Sequence, residues 1–152
     1  MSINQNNEES INFKIVLNGT YWGKKPQYSV WLDEAVITQS EVSKELHTIE
    51  FQRTLSEGAH SLKIRLENKS PEDTIIENGE IVEDMLLNID DIVIDDISLG
   101  NLLWTAEYKL DKPQIYKGET IDHLDGCVNL GWNGTYILNF TSPFYIWLLE
   151  KL

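Results

Sequence analysis

The segment from Gly58 to Leu99 constrains the fold of this 152-residue chain more than any other part. Leu62, Ile64 and Leu66 alternate with polar residues, which is the period-two pattern of a strand with one buried face. A polar, carboxylate-rich loop follows, and an acid-studded apolar segment then runs from residue 86 to residue 97. We therefore expect a regular strand, a loop and a second strand in series, with any functional site in the loop.

The second apolar segment admits two interpretations. Some of its apolar residues are spaced three to four apart, which would suit a helix with the aspartates on its solvent side. As a strand, it has Leu87 and Ile89 in one phase and Ile92 and Ile94 in the other, which requires a bulge or burial on both faces. We favour the strand, because β-branched residues dominate and strong helix formers are few.

The rest of the chain consists of short apolar runs separated by turn signals. This pattern predicts an all-β protein that folds as an antiparallel β-sandwich. Residues 1–10 are expected to be a disordered polar lead-in, and residues 11–152 a single domain. Residues 128–140 predict a hairpin that turns at Asn133-Gly134. The predicted core includes Phe13, Ile15, Leu17, Val30, Leu32, Leu62, Ile64, Leu66, Leu87 and Ile89.

The charge of the chain limits its partners. With a net charge of −13, the chain lacks the basic surface that binding to phosphate requires, so we expect no nucleic-acid partner. An anionic membrane surface is excluded for the same reason. The first residues show neither a basic start nor an apolar run, so we expect no signal peptide and synthesis in the cytoplasm.

Two motifs together carry a resemblance to a known family. One is the segment Val30-x-Leu32-Asp33. The other is Gly58-x-His60-x-Leu62-x-Ile64-x-Leu66-x-Asn68 and, after a loop, Asp84-x-x-Leu87-x-Ile89-Asp90-x-Ile92. They resemble an early valine-rich strand and the end of the small calcium-dependent xylan-binding modules, which are jelly-roll β-sandwiches. The resemblance covers residues 13–97 and implies a non-catalytic, glycan-binding β-sandwich that is jelly-roll-like.

The resemblance also implies a calcium site in the loop between those last two strands. In the family, the ion coordinates sugar hydroxyls directly. Asn68 and Asp84 occupy two of the motif positions, whereas Lys69 stands where the family has an acidic residue. A calcium site here would use Asn68 and Asp84 as ligands, with Glu67 or Glu83 supplying the charge that Lys69 removes. The alternative interpretation of these acids is a solvated loop without a metal.

Exposed aromatic rings are the second candidate for sugar binding. A flat ring suits stacking on the apolar face of a pyranose, and the candidates are Tyr21, Trp22 and Trp132, which lie beside turn signals. Aromatic side chains in β-sandwiches are more often part of the core, and we expect that position for Trp31, Trp104 and Trp147.

The residues provide little support for catalysis. The three histidines, His47, His60 and His123, lie in unrelated contexts, and neither a nucleophile elbow nor a phosphate loop is present. The favoured hypothesis is a non-catalytic, glycan-binding β-sandwich. Its alternative is a structural protein of a phage particle, a fibre, decoration or tail component incorporated in the virion. The apolar segment from Phe144 to Leu149 leads us to expect a homo-oligomer or a larger protein assembly.

Overall fold

The computed structural model describes residues 7–152. These residues are mostly β-strand, and among them are one α-helix and two short 3₁₀ helices, at Pro71–Asp73 and Gly100–Thr105. The elements are β1 (Glu8–Thr20), β2 (Gln27–Leu32), β3 (Ala35–Glu41), β4 (His47–Ser56), β5 (Gly58–Leu66), β6 (Ile75–Glu77), β7 (Glu80–Glu83), β8 (Leu86–Ile94), β9 (Ile97–Ser98), β10 (Glu107–Tyr116), β11 (Glu119–Asp125), β12 (Asn129–Leu130), β13 (Gly134–Ser142) and α1 (Phe144–Lys151).

The strands form two main sheets in which every pair is antiparallel. The first sheet has the order β12-β8-β1-β4, with β9 also paired to β8. The second has the order β11-β10-β13-β5-β2-β3. Strands β6 and β7 form a separate hairpin within the loop that joins β5 to β8. The predicted fold class, an antiparallel β-sandwich, is confirmed.

The alternating segment and the acid-studded segment both form strands, as predicted. Strand β8 contains the expected phase change, and a bulge produces it. Val16 of β1 pairs with Asp91, whereas the next residue, Leu17, pairs with Ile89. Asp90 is therefore the extra residue on β8. The bulge allows the apolar side chains on both sides of it to face the core.

All ten residues predicted for the core are buried, each at most 4% exposed. They come from both sheets, and the inner faces of the two sheets meet between them. Phe13 of the first sheet contacts Phe140 of the second, with ring centroids 6.1 Å apart. The period-two pattern thus identified the inward side of the strands correctly.

The predicted hairpin over residues 128–140 is wrong. Strand β12 pairs with β8 in the first sheet, whereas β13 pairs with β10 and β5 in the second. Residues 131–133 therefore cross from one sheet to the other. Gly134 is needed where this crossing ends, because a Cβ atom there would lie 2.5 Å from the Lys109 carbonyl oxygen. The Asn-Gly pair marks a close approach between strands instead of a hairpin turn.

The N-terminal boundary also differs from the prediction. Residues 1–6 of the expected lead-in lie outside the described residues, but β1 begins at Glu8, so residues 8–10 are strand. Glu9 is almost fully buried, and its carboxylate accepts hydrogen bonds from the Ser142 hydroxyl (2.6 Å) and the Phe144 amide (2.7 Å). The polar composition of residues 8–10 led to the wrong boundary, because the buried Glu9 carboxylate has hydrogen-bond donors at the start of α1.

The tryptophans expected in the core divide into different environments. Trp147 is buried and Trp31 is partly buried, but Trp104 is 55% exposed, so its prediction is wrong. Trp104 lies in the second 3₁₀ helix, where Leu103 faces the core and accepts a hydrogen bond from Tyr136 through its carbonyl. No helix in residues 7–152 is long and apolar enough to cross a membrane.

Candidate functional site

A cleft of about 490 Å³ lies where the loop after β5, strand β10 and the crossing segment meet. Its volume is within the range of about 300–1,000 Å³ that is usual for small-molecule sites. Its walls carry an aromatic ring, hydroxyls, amides, ammonium groups and a carboxylate. The lining residues are Lys69, Ser70, Pro71, Thr74, Asp111, Lys112, Gln114, Gly131, Trp132 and Asn133.

Trp132 is the aromatic residue of this cleft, and its backbone is held on both sides. Its amide donates to the Tyr108 hydroxyl (2.9 Å), and that hydroxyl donates to the Trp132 carbonyl. Burial raises the pKa of Tyr108, so the hydroxyl keeps its proton and remains a donor. The Trp132 side chain is partly exposed and packs edge-on against Tyr116, with centroids 6.0 Å apart.

Asn133 connects the two walls of the cleft. Its side-chain oxygen accepts the Lys69 amide at 2.7 Å, and its side-chain nitrogen donates to the Lys69 carbonyl at 3.0 Å. The Asn133 carbonyl in turn accepts the Asp111 amide of β10 at 3.0 Å. One asparagine thus joins the loop after β5 to the crossing segment and to β10.

Lys69 lines the cleft, but its side chain is largely buried, with only 9% of it exposed. Its ammonium group donates to Asp84 Oδ1 at 2.7 Å, to the Met85 carbonyl at 2.7 Å and to the Gly131 carbonyl at 2.8 Å. A lysine ammonium has three donors, so each donor has an oxygen acceptor. The charge is therefore both buried and fully hydrogen-bonded.

Asp84 is the anionic partner in this cluster. Besides Lys69, Asp84 Oδ1 accepts the Thr74 hydroxyl at 2.7 Å and the Met85 amide at 2.8 Å. Burial alone would raise the pKa of Asp84, but these hydrogen bonds outweigh it and hold the pKa below its ordinary value. Asp84 is therefore an ionised, hydrogen-bonded group at the end of the loop that joins β5 to β8.

The other residues predicted as calcium ligands make separate local contacts. Asn68 accepts the Gln27 amide at 2.8 Å and donates to the Lys25 carbonyl at 3.0 Å. Glu67 accepts a hydrogen bond from Ser29, and Glu83 is exposed at the end of β7. Within residues 7–152, no three Asp, Glu, His or Cys side chains are grouped so that they could hold a metal ion. The donors present do not fit a calcium site.

The other two predicted sugar-binding aromatics lie outside the cleft. Trp22 is 48% exposed, and its indole nitrogen donates to the Asp73 carbonyl at 2.9 Å, on the 3₁₀ helix that begins with cleft residue Pro71. Tyr21 is partly buried, with the Lys44 ammonium 5.1 Å from its ring centroid. The structure thus places Trp132 and the loop after β5 in one cleft, whereas Trp22 belongs to the segment between β1 and β2 and contacts that loop through the Asp73 carbonyl.

Several cleft residues escaped the sequence reasoning. Asp111, Lys112 and Gln114 lie on β10, which the resemblance to the xylan-binding modules does not cover. The role of Asn133 was hidden by the hairpin interpretation. Lys69 did give a signal, because it is the one basic residue between Glu67 and Met85. A single lysine in an otherwise acidic loop indicates an internal ion pair as readily as a lost metal ligand.

The fold and the site define a class of protein: a β-sandwich without a disulfide, whose surface cleft combines an aromatic ring with polar side chains. No protein-family model and no curated protein matches the chain. Among solved structures, the chain is similar to vCBM60 in complex with galactobiose, with a TM-score of 0.55 and 8% identity over 84% of this chain and 98% of that one.

A second similar structure is the selenomethionine form of vCBM60. The TM-score is 0.55 and the identity 8%, over 84% of this chain and 89% of that one. That structure is described with a circular permutation that links two families of calcium-dependent carbohydrate-binding modules. The resemblance noted in the sequence is therefore confirmed as a likeness of fold. At 8% identity, the likeness carries the β-sandwich but not the ligands.

Proposed function

We propose that the protein binds a saccharide in the Trp132 cleft and does not act on it chemically. The observation that carries this proposal is a partly exposed indole ring in a cleft of about 490 Å³ whose other walls are hydrogen-bonding side chains. A pyranose has an apolar C–H face and a rim of hydroxyls. An aromatic ring suits the face, and nearby polar groups suit the rim.

The rim contacts available in the cleft are varied. Ser70 and Thr74 provide hydroxyls, Gln114 an amide, and Lys112 an ammonium group. The likeness of fold to a module in complex with galactobiose supports a saccharide ligand and suggests galactobiose as the first probe. Xylo-oligosaccharides are the second probe, because the sequence motifs resemble those of xylan-binding modules.

The arrangement of acids supports binding without hydrolysis. Glycoside hydrolysis by the common mechanisms requires two carboxylates that flank the bond to be broken. Among residues 7–152, Asp111 is the one acidic residue that lines the cleft, and the Arg65 guanidinium donates to both of its oxygens, at 3.2 and 2.8 Å. His60 is bound to Asp33 and to the Ser56 carbonyl, away from the cleft.

Titration calorimetry of the wild-type chain with galactobiose and with xylo-oligosaccharides tests the proposal. Trp132→Ala should weaken binding at least about tenfold, which corresponds to ~1.4 kcal/mol. Trp104→Ala is the matched control, because Trp104 is an exposed tryptophan outside the cleft. Trp22→Ala shows whether binding extends along the loop. Equal binding by wild type and Trp132→Ala would remove the cleft from consideration, and no binding to either saccharide would count against the proposal.

A second candidate function is a role in a protein assembly, of which a virion component would be one form. Helix α1 buries Phe144, Trp147 and Leu148 but leaves Tyr145, Ile146 and Leu149 each more than half exposed. Such an exposed apolar face favours contact with another protein surface. Light scattering across a concentration series tests this candidate: a monomer at all concentrations would remove self-association, and Ile146→Ser should shift any oligomer towards monomer.

A further inference from the structure

We propose that the Lys69 ammonium is the resident cation of the loop between β5 and β8, and that this loop and its cleft are ordered without a divalent metal. For ligand binding, the inference rests on the proposed saccharide function. For the loop itself, it rests only on the contacts of Lys69. The similar structure of vCBM60 is described among calcium-dependent modules. The likeness of fold would therefore suggest a loop that needs calcium, whereas we expect this loop to need none.

The first step is the chemistry of the acceptors. A hard divalent cation is held by carboxylate and backbone carbonyl oxygens. In this loop, oxygens of those types already surround the Lys69 nitrogen, one from Asp84 and carbonyls from Met85 and Gly131, all within 2.8 Å. A divalent ion at the same oxygens would have to displace the buried ammonium group or lie directly beside a like charge.

The second step is the chain connectivity of the cluster. The three acceptors come from the end of the acidic loop, from the residue before β8 and from the crossing segment. Asn133 adds its two hydrogen bonds to the Lys69 backbone. Lys69 therefore contacts the residues immediately before and after Trp132. It is a positioning residue for the aromatic wall of the cleft.

The third step concerns the remaining acids of the loop. Glu67 and Asn68 are engaged with β2 and the segment before it, and Glu83 is exposed. No group of three acidic, histidine or cysteine side chains within residues 7–152 offers an alternative metal site. In the described chain, the cation that organises this loop is therefore covalently attached to it.

Thermal melts of the wild-type chain, in EDTA and in millimolar calcium chloride, test the inference directly. We expect the same melting temperature in both. Lys69→Met keeps most of the aliphatic stem but removes the charge, and should lower the melting temperature by about 5–10 °C. Lys25→Met is the matched control, because Lys25 is an exposed lysine with a 4.0 Å contact to Glu41, and its variant should melt like wild type.

A calcium-dependent rise in the wild-type melting temperature would overturn the inference, as would a Lys69→Met variant that melts like wild type. If Lys69→Met does not fold, nuclear magnetic resonance of the wild-type lysine ammonium groups gives the answer. A slowly exchanging Lys69 signal in EDTA supports the buried, hydrogen-bonded ammonium, whereas exchange as fast as for exposed lysines contradicts it. These readouts need no saccharide, so they separate this inference from the proposed function. If a saccharide binds, its affinity should be equal in EDTA and calcium.

Discussion

The connection between the two walls of the cleft gives a sharp test at Asn133. The change is Asn133→Ala, which removes both hydrogen bonds from the side chain to the Lys69 backbone and alters no backbone group. Each such bond contributes about 0.5–1.5 kcal/mol net, so their loss should cost about 1–3 kcal/mol. A value towards the upper end is expected, because the Lys69 amide and carbonyl are partly buried and would lose their partner.

Urea denaturation measures this cost, with Asn129→Ala as the control. Asn129 is an exposed asparagine on the neighbouring strand β12, and its variant should change the free energy of unfolding by less than about 0.5 kcal/mol. The dependence on urea should stay the same, since the amount of surface exposed on unfolding is unchanged. If Asn133→Ala lowers the free energy of unfolding no more than the control does, the two hydrogen bonds between Asn133 and the Lys69 backbone do not stabilise the cleft.

Two further predictions address the core and the response to pH. Ile64 is fully buried in the middle of β5. Ile64→Ala should lower the free energy of unfolding, measured by urea denaturation, by about 2–5 kcal/mol, and Ile64→Val should lower it by about 0.5–1.5 kcal/mol. Equal losses for the two variants would contradict the packing of this side chain. Burial opposes the charged form of His60, but hydrogen bonds to the Ser56 carbonyl and Asp33 outweigh it and raise the pKa. The stability that the charged His60 ring contributes is therefore complete below about pH 6.5 and is lost as the pH rises through the raised pKa. The difference in melting temperature between wild type and His60→Gln should accordingly shrink at alkaline pH. A difference that stays constant with pH would contradict this assignment.

The strands of the core could be predicted because each has its own pattern in the sequence. The alternation around Ile64 and the phase change around Asp90 are local signals, and the structure confirms the strand at both places. The hairpin at Asn133-Gly134 was predicted from an equally local signal but is wrong. Whether two neighbouring strands pair or separate into two sheets depends on distant partners. Here the partners are β8 on one side and β10 on the other.

The site was less accessible to sequence reasoning for the same physical reason. Trp132 could be chosen as an exposed aromatic beside a turn signal, but its partner Tyr108 is distant in the chain, and so is Lys69, which binds the residues on either side of Trp132. The lysine shows the limit most clearly. In the sequence, Lys69 only removes a carboxylate and adds a positive charge to a possible metal loop. In the structure, the ammonium group lies between a carboxylate and two carbonyls contributed by segments up to 62 residues away. A side chain with a long stem can bring its charge to oxygens that the sequence does not place beside it, so the same substitution that argues against a metal ligand also supplies a cation to the loop.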